Sequence, residues 1–235
     1  MRRFVADVWS LDQDVGRLLA KLDELGLREK TIVVFSSDQG AAAPRDPAVP
    51  MPKKRRNGNA ADPKKENLRM NLVGYAGELR GGKHRDYEGG VRVPFIVRWP
   101  GHVPAGRVDQ DSVMSGCDWL PTLCSITGVS GVPGDLDGED ASKAWLGGTH
   151  VRTRPLFWKT NAENSNPALR WQNWKFHGSN RKQGDVELYD LGADPGERKN
   201  LAADRPEIVR ELSAKLAEWK GSLPATYDHG NAKED

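Results

Sequence analysis

Residues Thr31–Gly40 read TIVVFSSDQG, and residues Gly81–Gly101 read GGKHRDYEGGVRVPFIVRWPG. The first stretch is a run of β-branched and apolar residues that ends abruptly in Asp38, Gln39 and Gly40, so it predicts a buried strand followed by a turn. In α/β sheets, ligands bind outside the carboxyl ends of such strands. The pattern therefore predicts that the carboxylate of Asp38 and the amide of Gln39 lie at a ligand site.

The segments on either side of this strand predict an α/β fold. Residues Val5–Leu25 carry apolar side chains at helical spacing and are followed by Gly26, which suits a helix C-cap. A second buried strand is predicted near Phe95–Arg98. One helix and two strands are too few for a parallel sheet that folds alone, because such a sheet needs several strands and helices on both faces. We therefore expect the C-terminal part of a doubly wound sheet whose earlier strands precede Met1.

The second half of the chain predicts a different architecture. A helix is expected at Asp111–Gly128, and a turn-rich stretch follows it. From Arg154 onward, short aromatic segments alternate with Asn, Gly and Asp turns, which predicts a small antiparallel sheet covered by a C-terminal helix. Asp204 is the expected N-cap of that helix, with Pro206 in its first turn. The predicted strands are Leu156–Trp158, Trp171–His177 and Val186–Leu188, and the apolar stripe of the helix is Ile208, Val209, Leu212, Leu216 and Trp219.

These patterns divide the chain into three parts. Residues 1–150 are assigned to the C-terminal part of the α/β main domain, with a mobile insert at 41–69. Residues 151–225 are assigned to the antiparallel subdomain and its helix, and residues 226–235 to a tail. The insert contains the basic run Lys53–Arg56, which predicts a solvated loop more readily than a polyanion-binding patch.

The composition argues against several classes of function. Lys plus Arg number 35 and Asp plus Glu 33, and the net charge of +2 gives no support to general nucleic-acid binding. No apolar run approaches the roughly 20 residues that span a bilayer, and the N-terminus leads into an amphipathic segment instead of the apolar core of a signal peptide. The only two cysteines, Cys117 and Cys124, are predicted to be buried or inert, because a metal site would need further ligands at suitable spacing.

Asp38 and Gln39 are the candidate metal ligands. A carboxylate and an amide oxygen at the end of a strand suit a hard cation such as Ca²⁺, whereas a glutamine carbonyl would be an unusual zinc ligand. The alternative is a structural Asx turn that ends the strand. Because calcium takes roughly six to eight oxygens, these two side chains predict only a partial calcium site.

Lys83 is the candidate anion-binding residue. Gly81 and Gly82 permit a close approach of the backbone, and a compact ammonium with three donors fits the oxygens of a tetrahedral anion. The alternative is an ordinary exposed lysine beside a glycine turn. From this block of sequence, Lys83 is the only residue that we assign to a site.

Several other polar and aromatic residues are predicted to have structural roles and not to belong to a functional site. Glu88 and Arg92 are expected to form a structural ion pair or turn clamp, and His84 is expected to be exposed. Trp171 and Trp174 could stack on a sugar ring, but packing within the small sheet is the favoured interpretation.

Four motifs occur in order along the chain: SSDQG at 36–40, GGK…EGGVRVPFIVRWPG at 81–101, DWLPTL at 118–123 and ELYDLGADPGERKNLA at 187–202. Together they closely resemble the sulfatase family of the alkaline-phosphatase superfamily, and the resemblance covers nearly the whole chain. It implies hydrolysis of an aryl or carbohydrate sulfate, in which a formylglycine hydrate attacks sulfur and a divalent cation stabilises charge. It also implies a periplasmic or extracellular location. In the last motif, Asp194–Gly196 is the expected tight turn.

The resemblance assigns roles to three residues. Asp38 and Gln39 match the second pair of metal ligands, with glutamine in place of the more frequent asparagine, and Lys83 matches the late sulfate-binding lysine. No Cys-x-Pro-x-Arg or Ser-x-Pro-x-Arg motif occurs, and the surroundings of Cys117 lack that spacing. The nucleophile and its formylglycine are therefore expected in an N-terminal half that lies before Met1. The chain alone is expected to be catalytically incomplete, with an upstream sulfatase half as its partner.

Two alternative functions stay open. One is a phosphodiesterase or phosphonate hydrolase of the same superfamily, which a nucleophile motif upstream would distinguish from a sulfatase. The other is a non-catalytic remnant that binds sulfated glycans without turnover.

Overall fold

The computed structural model describes residues 2–42, 74–131, 133–159, 166–179 and 185–223. The chain divides into two compact units, residues 1–154 and residues 155–235. The predicted insert at 41–69 lies outside the described residues except for its first two positions, and the predicted tail at 226–235 lies outside them entirely.

The N-terminal unit opens with a long helix and contains a two-stranded antiparallel sheet. The two strands pair with Val33 opposite Arg98. An ion pair of 3.5 Å between Asp23 and Arg98 connects the helix to the second strand. The indole nitrogen of Trp99 donates a hydrogen bond of 2.8 Å to the carbonyl of Glu29. The elements are α1 (Arg2–Glu24), β1 (Val33–Ser36), α2 (Glu88–Val91) and β2 (Phe95–Arg98).

Both strands lie where the sequence predicts them, but the prediction that they are fully buried is wrong. Phe35 is 40% exposed and Ile96 is 59% exposed. These residues are cross-strand neighbours, so one face of the sheet is open to solvent. Within the described residues each strand pairs only with the other. Two strands and one helix do not supply enough layers to cover both faces of a sheet.

The helix predicted at Asp111–Gly128 begins later than expected, after a 3₁₀ turn. The reason is local capping: the carboxylate of Asp118 accepts a hydrogen bond of 2.7 Å from the backbone amide of Ser115. The side chain of Asp118 thus takes the place of a backbone acceptor for the amide of Ser115. The helical segment therefore begins after Ser115 and does not extend back to Asp111. Pro121 lies in the first helical turn, where no intrahelical amide bond is lost. The elements are the 3₁₀ turn Gly116–Asp118, α3 (Trp119–Thr127) and α4 (Ser142–Trp145).

Buried charges join the start of α3 to the chain after α4. Asp118 is 1% exposed, and its carboxylate pairs with Arg152 and accepts a 2.8 Å hydrogen bond from the amide of Glu139. Glu139 accepts hydrogen bonds from the amide and the hydroxyl of Thr153 and lies 3.1 Å from Nε2 of His150. Although burial raises the pKa of Glu139, the bonds from Thr153 and the charge of Arg152 hold it below its usual value.

The C-terminal unit is a four-stranded antiparallel sheet with one helix. The strands lie in chain order, and the helix covers one face of the sheet. Leu169, Phe176 and Leu188 of the sheet form the core with Leu212 and Leu216 of the helix. The predicted apolar stripe of the helix packs against that core, as expected. The elements are β3 (Leu156–Trp158), β4 (Ala168–Trp171), β5 (Trp174–His177), β6 (Glu187–Asp190) and α5 (Pro206–Ser222).

Three local predictions for this unit are wrong. The strand expected at Trp171–His177 is a hairpin, because Gln172 adopts φ 55° and reverses the chain between two strands. The last strand is Glu187–Asp190 and not the expected Val186–Leu188. Backbone hydrogen bonds to β5 determine which residues belong to this strand, and they pair Glu187 with His177 and Asp190 with Trp174. Asp204 is not the N-cap of α5: Arg205 holds that position without a side-chain bond, and Pro206 begins the helix with a preset φ.

Other predictions for this unit are confirmed. Trp171 and Trp174 are half-buried and pack against the core. The tight turn after Asp194 is present: the amide of Glu197 donates a 3.1 Å hydrogen bond to the carbonyl of Asp194. The carboxylate of Asp194 then accepts bonds of 2.7 and 2.8 Å from the next two amides, which stabilises the turn.

Candidate metal and sulfate site

The chain just after β1 is joined by backbone bonds to α2 and to the glycine-rich loop before it. The amide of Gly40 donates a 2.8 Å hydrogen bond to the carbonyl of Gly90, and the amide of Lys83 donates a 2.9 Å bond to the carbonyl of Ala41. A Cβ atom on Gly40 would lie 1.9 Å from the carbonyl oxygen of Gly89. Only glycine allows the two backbones to lie this close.

Asp38 lies at this junction as an ionised, exposed carboxylate. The amide nitrogen of Gln39 donates a 2.9 Å hydrogen bond to its Oδ2 atom. That bond and the positive charge of Lys83 lower the pKa of Asp38, against a smaller opposing effect of desolvation. The hydroxyl of Ser37 donates a 2.9 Å hydrogen bond to the carbonyl of Gln39, which stabilises the turn after β1.

Lys83 lies in a turn whose side chains are exposed. The amide of Arg85 donates a 3.0 Å bond to the carbonyl of Gly82, and His84 between them adopts φ 70°. Lys83 and His84 are both exposed, as expected for His84. The structure therefore brings the charge of Lys83 within electrostatic range of Asp38, although the two residues are far apart in sequence.

The neighbouring helix α2 supports this loop with buried backbone. Glu88 is 1% exposed, and the amide of Arg92 donates a 2.8 Å bond to its carbonyl. The side-chain ion pair of Glu88 with Arg92 stays a prediction. No local sequence pattern predicts the contact of Gly40 with Gly89, although the glycine pair at 89–90 is a signal that can indicate a close approach of two backbones.

Asp38 and Gln39 offer the kinds of oxygen atom that a hard cation binds, but too few of them to fill its coordination shell. A carboxylate oxygen and an amide oxygen are suitable calcium ligands. Among the described residues, no group of three or more His, Cys, Asp or Glu side chains could hold a metal ion. The two side chains could supply two of the oxygens of a hard-cation site, and the remaining oxygens would come from other residues or from water.

The cysteines do not add a nucleophile to this site. Cys117 is exposed and Cys124 is half-buried, so of the two predicted alternatives, buried or inert, burial does not apply to Cys117. Partial desolvation raises the pKa of the Cys117 thiol, and the charge of Asp118 adds to the effect. A thiol with a raised pKa is a poorer nucleophile at neutral pH, which agrees with the expectation that it is inert.

Comparison with protein families identifies the chain. The family model described as Sulfatase matches residues 1–129. The chain belongs to the sulfatase family. A second family model, the C-terminal region of N-sulphoglucosamine sulphohydrolase, matches residues 82–222 of this sulfatase chain.

Curated relatives are sulfatases as well. Human arylsulfatase A is 30% identical over 97% of this chain and 45% of its own length. The N-acetylgalactosamine-6-O-sulfatase of Bacteroides thetaiotaomicron is 30% identical over 91% of this chain and 41% of its own length. Mouse steryl-sulfatase is 33% identical over 87% of this chain and 34% of its own length. The sulfatase chain thus spans less than half the length of these relatives.

Solved structures share the fold. A Bacteroides thetaiotaomicron structure, described in terms of the metabolism of multiple glycosaminoglycans, matches with TM-score 0.66 and 28% identity over 90% of this chain and 43% of that one. A putative sulfatase from Bacteroides fragilis matches with TM-score 0.64 and 24% identity over 94% of this chain and 42% of that one. These neighbours confirm the predicted α/β fold class. No helix in the described part of the sulfatase chain is long and apolar enough to cross a membrane.

Proposed function

We propose that this chain supplies part of the active site of an enzyme that hydrolyses sulfate esters. The observation that carries the proposal is the junction between the end of β1 and the glycine-rich loop. There, the amide of Lys83 bonds to the carbonyl of Ala41, so the oxygen pair of Asp38 and Gln39 lies near the exposed lysine in the folded chain. The hydrogen bond from Gln39 and, to a smaller extent, the charge of Lys83 lower the pKa of Asp38. Membership of the sulfatase family supports sulfur as the reacting centre, in preference to the phosphorus of a phosphodiesterase or phosphonate hydrolase.

Asp38 and Gln39 would hold a divalent cation. The carboxylate of Asp38 supplies a charged ligand, and the side-chain oxygen of Gln39 adds a neutral one. Calcium is the proposed ion, because it accepts carboxylate and amide oxygens together. When bound, such a cation offsets negative charge on a sulfate oxygen.

Lys83 would hold the sulfate group. Its ammonium presents three donors, and its backbone is held by the bond from its amide to Ala41. As the bond between sulfur and the ester oxygen breaks, charge develops on the oxygens, and a fixed cation stabilises that charge more than it stabilises the ground state. This difference would lower the barrier to hydrolysis.

The nucleophile would come from a segment other than residues 1–235. Neither Cys117 nor Cys124 lies in a maturation motif, so the formylglycine of the family has no precursor here. The substrate class is proposed as a sulfated carbohydrate or aryl sulfate. The names of the curated relatives, which include N-acetylgalactosamine-6-O-sulfatase and arylsulfatase, support this range.

The test replaces Lys83 in an enzyme assembled from this chain and an upstream sulfatase segment that carries a matured formylglycine. Lys83→Ala is expected to lower kcat for an aryl sulfate by about 100-fold or more, the scale seen when one charge-stabilising donor is lost. Lys83→Arg is expected to rescue little, because a planar guanidinium does not reproduce the geometry of an ammonium. Lys30→Ala, at another exposed lysine, is the control. Wild-type turnover in Lys83→Ala would refute the proposed role.

A further inference from the structure

The loop that carries Lys83 holds a histidine in a strained backbone conformation. The amide of Arg85 donates a 3.0 Å hydrogen bond to the carbonyl of Gly82, which closes a β-turn with Lys83 and His84 at its two central positions. His84 adopts φ 70°. Glycine is the usual residue at a turn position with positive φ, because a side chain is strained there. Such strained residues are concentrated at functional sites, so position 84 is a candidate for a functional role.

The backbone of this turn is fixed by its surroundings. The amide of Lys83 donates a 2.9 Å hydrogen bond to the carbonyl of Ala41. The carbonyl oxygen of Arg85 lies so close to α2 that a Cβ atom on Gly90 would be 1.9 Å from it. The turn is therefore held against two other segments of the chain. A ligand that binds its side chains does not have to order the backbone first, which favours affinity.

The side chain of His84 is not used by the fold. It is exposed, and it makes no hydrogen bond, ion pair or ring contact within the part of the chain that the structure describes. His102 differs: it is also exposed, but its ring stacks on Trp99 with a centroid distance of 3.7 Å. Packing therefore gives a reason for the imidazole at position 102 and none for the imidazole at position 84.

Positive charge surrounds His84. Residues 77–85 carry three exposed cationic side chains and one acidic side chain, namely Arg80, Lys83, Arg85 and Glu78. The next two acidic side chains, Asp86 and Glu88, are 6% and 1% exposed and thus turned away from solvent. The exposed carboxylate of Asp38 is near Lys83, and the proposed cation would offset its charge. A ligand at this turn is therefore expected to be anionic.

One sulfate group does not account for both central residues of the turn. In the proposed function, Lys83 holds the reacting sulfate, and His84 is the next residue of the same turn. An imidazole donates hydrogen bonds from its ring nitrogens and becomes positively charged near neutral pH, so it suits a second group of anionic oxygens. Neutral sugar hydroxyls would gain nothing from the surrounding positive charge.

We propose that His84 is a specificity-determining residue that binds a second anionic group of the substrate. The proposal rests on the proposed function, because Lys83 must hold the first group. The substrate class is then a sulfated sugar that carries another sulfate or a carboxylate beside the reacting ester. A sugar with one sulfate and no other anionic group would contact Lys83 alone.

The experiment measures the affinity of residues 1–235 for three sugars by titration of backbone amide NMR signals. N-acetylgalactosamine 6-sulfate has one anionic group, its 4,6-disulfate adds a sulfate, and its disaccharide with glucuronate adds a carboxylate. At about pH 6 a free imidazole is mostly protonated, and about 0.15 M salt screens charges more than about 8 Å apart. The wild-type chain is expected to bind at least one of the two dianions about fivefold more tightly than the monosulfate, the upper range for one exposed ion pair.

His84→Asn is expected to abolish this preference and to leave the affinity for the monosulfate unchanged. Asparagine is tolerated at positive φ but carries no charge, so the urea midpoint should stay that of the wild-type chain. His84→Gly, which adopts positive φ freely, is the second variant and should lose the same preference. His102→Asn is the matched control, because it makes the same change at another exposed histidine and should keep the full preference.

The proposal and the proposed function fail in different ways. Lys83→Ala is expected to weaken the binding of all three sugars, since they share the 6-sulfate. If it does so while the wild-type chain prefers neither dianion, or while His84→Asn keeps the preference, the role of His84 is refuted and that of Lys83 stands. A fall in the urea midpoint of His84→Asn with equal loss of affinity for all three sugars would also refute it. If no sugar binds the wild-type chain, the proposal is overturned, whereas turnover of an aryl sulfate by the assembled enzyme would still support the proposed function.

Discussion

The backbone amide of Gly40 donates a hydrogen bond of 2.8 Å to the carbonyl oxygen of Gly90. This bond joins the turn after β1, which carries Asp38, to α2, the helix that follows the loop carrying Lys83. The two backbones lie so close that a side chain at position 40 would collide with Gly89. The relative position of the carboxylate and the ammonium therefore depends on glycine at position 40.

Gly40→Ala is expected to separate the two segments. Its Cβ would lie 1.9 Å from a backbone oxygen, and backbone cannot move aside as a flexible side chain can. We expect the free energy of unfolding to fall by about 1–3 kcal/mol, as for overpacked sites. In an assembled enzyme, we expect kcat to fall by about 100-fold, because a displacement near 1 Å is enough for such a loss.

The control is Gly16→Ala, in the middle of α1. A Cβ there meets no atom within 4 Å. Alanine is the better helix former, so this variant is expected to gain up to about 1 kcal/mol in urea unfolding. Equal stabilities for the two variants would show that the contact of Gly40 with Gly89 does not limit the fold.

Calcium is expected to bind the isolated chain only weakly. Asp38 and Gln39 provide a part of the roughly six to eight oxygens that calcium takes. Isothermal titration calorimetry should give a dissociation constant in the range of about 10⁻⁴–10⁻³ M or weaker, which Asp38→Ala removes. The control Asp12→Ala deletes an exposed carboxylate of α1 and should change nothing. Tight binding that survives Asp38→Ala would place the metal elsewhere.

Asp109 is expected to make the chain sensitive to acid. Burial raises the pKa of Asp109, but hydrogen bonds from Ser112 and Asp111 and the charge of Arg107 together lower it from 3.8 to about 2. A carboxyl with a lowered folded pKa stabilises the fold above its unfolded pKa. That contribution is lost as the pH falls from about 4 to about 2.

Asp109→Asn should reveal this contribution. At pH 7 the free energy of unfolding is expected to drop by about 1 kcal/mol, after allowance for solvent screening. The difference from the wild-type chain should shrink as the pH approaches 2. Urea unfolding at several pH values measures it, with Asp12→Asn as an exposed control. A difference that stays constant between pH 7 and pH 2 would contradict the assignment.

Arg152→Met is expected to destabilise the N-terminal unit strongly. The side chain of Arg152 is 7% exposed, and its guanidinium neutralises Asp118, whose side chain is 1% exposed. Removing it leaves a buried carboxylate without its cation, a change that typically costs about 3–5 kcal/mol. Arg154→Met is the control, because the side chain of Arg154 is exposed and donates a hydrogen bond to the carbonyl of Leu136. Comparable urea midpoints for the two variants would show that the Asp118 pair contributes little.

The amino-acid sequence alone determined the local elements of this chain. The run ending in Ser36, the strand at Phe95–Arg98 and the apolar stripe of α5 were predicted at or near their positions. So was the turn at Asp194. Each depends on side-chain periodicity or turn chemistry within a few residues, which a sequence records directly. The resemblance also assigned Asp38, Gln39 and Lys83 to one site, and their roles stay proposals.

The tertiary structure decided what depends on residues distant in sequence. Gln172 at positive φ, not the aromatic run around it, determines where β4 ends and β5 begins. The exposure of Phe35 and Ile96 follows from which layers cover a strand, and strand composition does not show that. The contact of Gly40 with Gly89 joins two segments that no local pattern connects. Packing and hydrogen bonds between distant segments are non-local, so only the folded chain shows how Lys83 comes to act on Asp38.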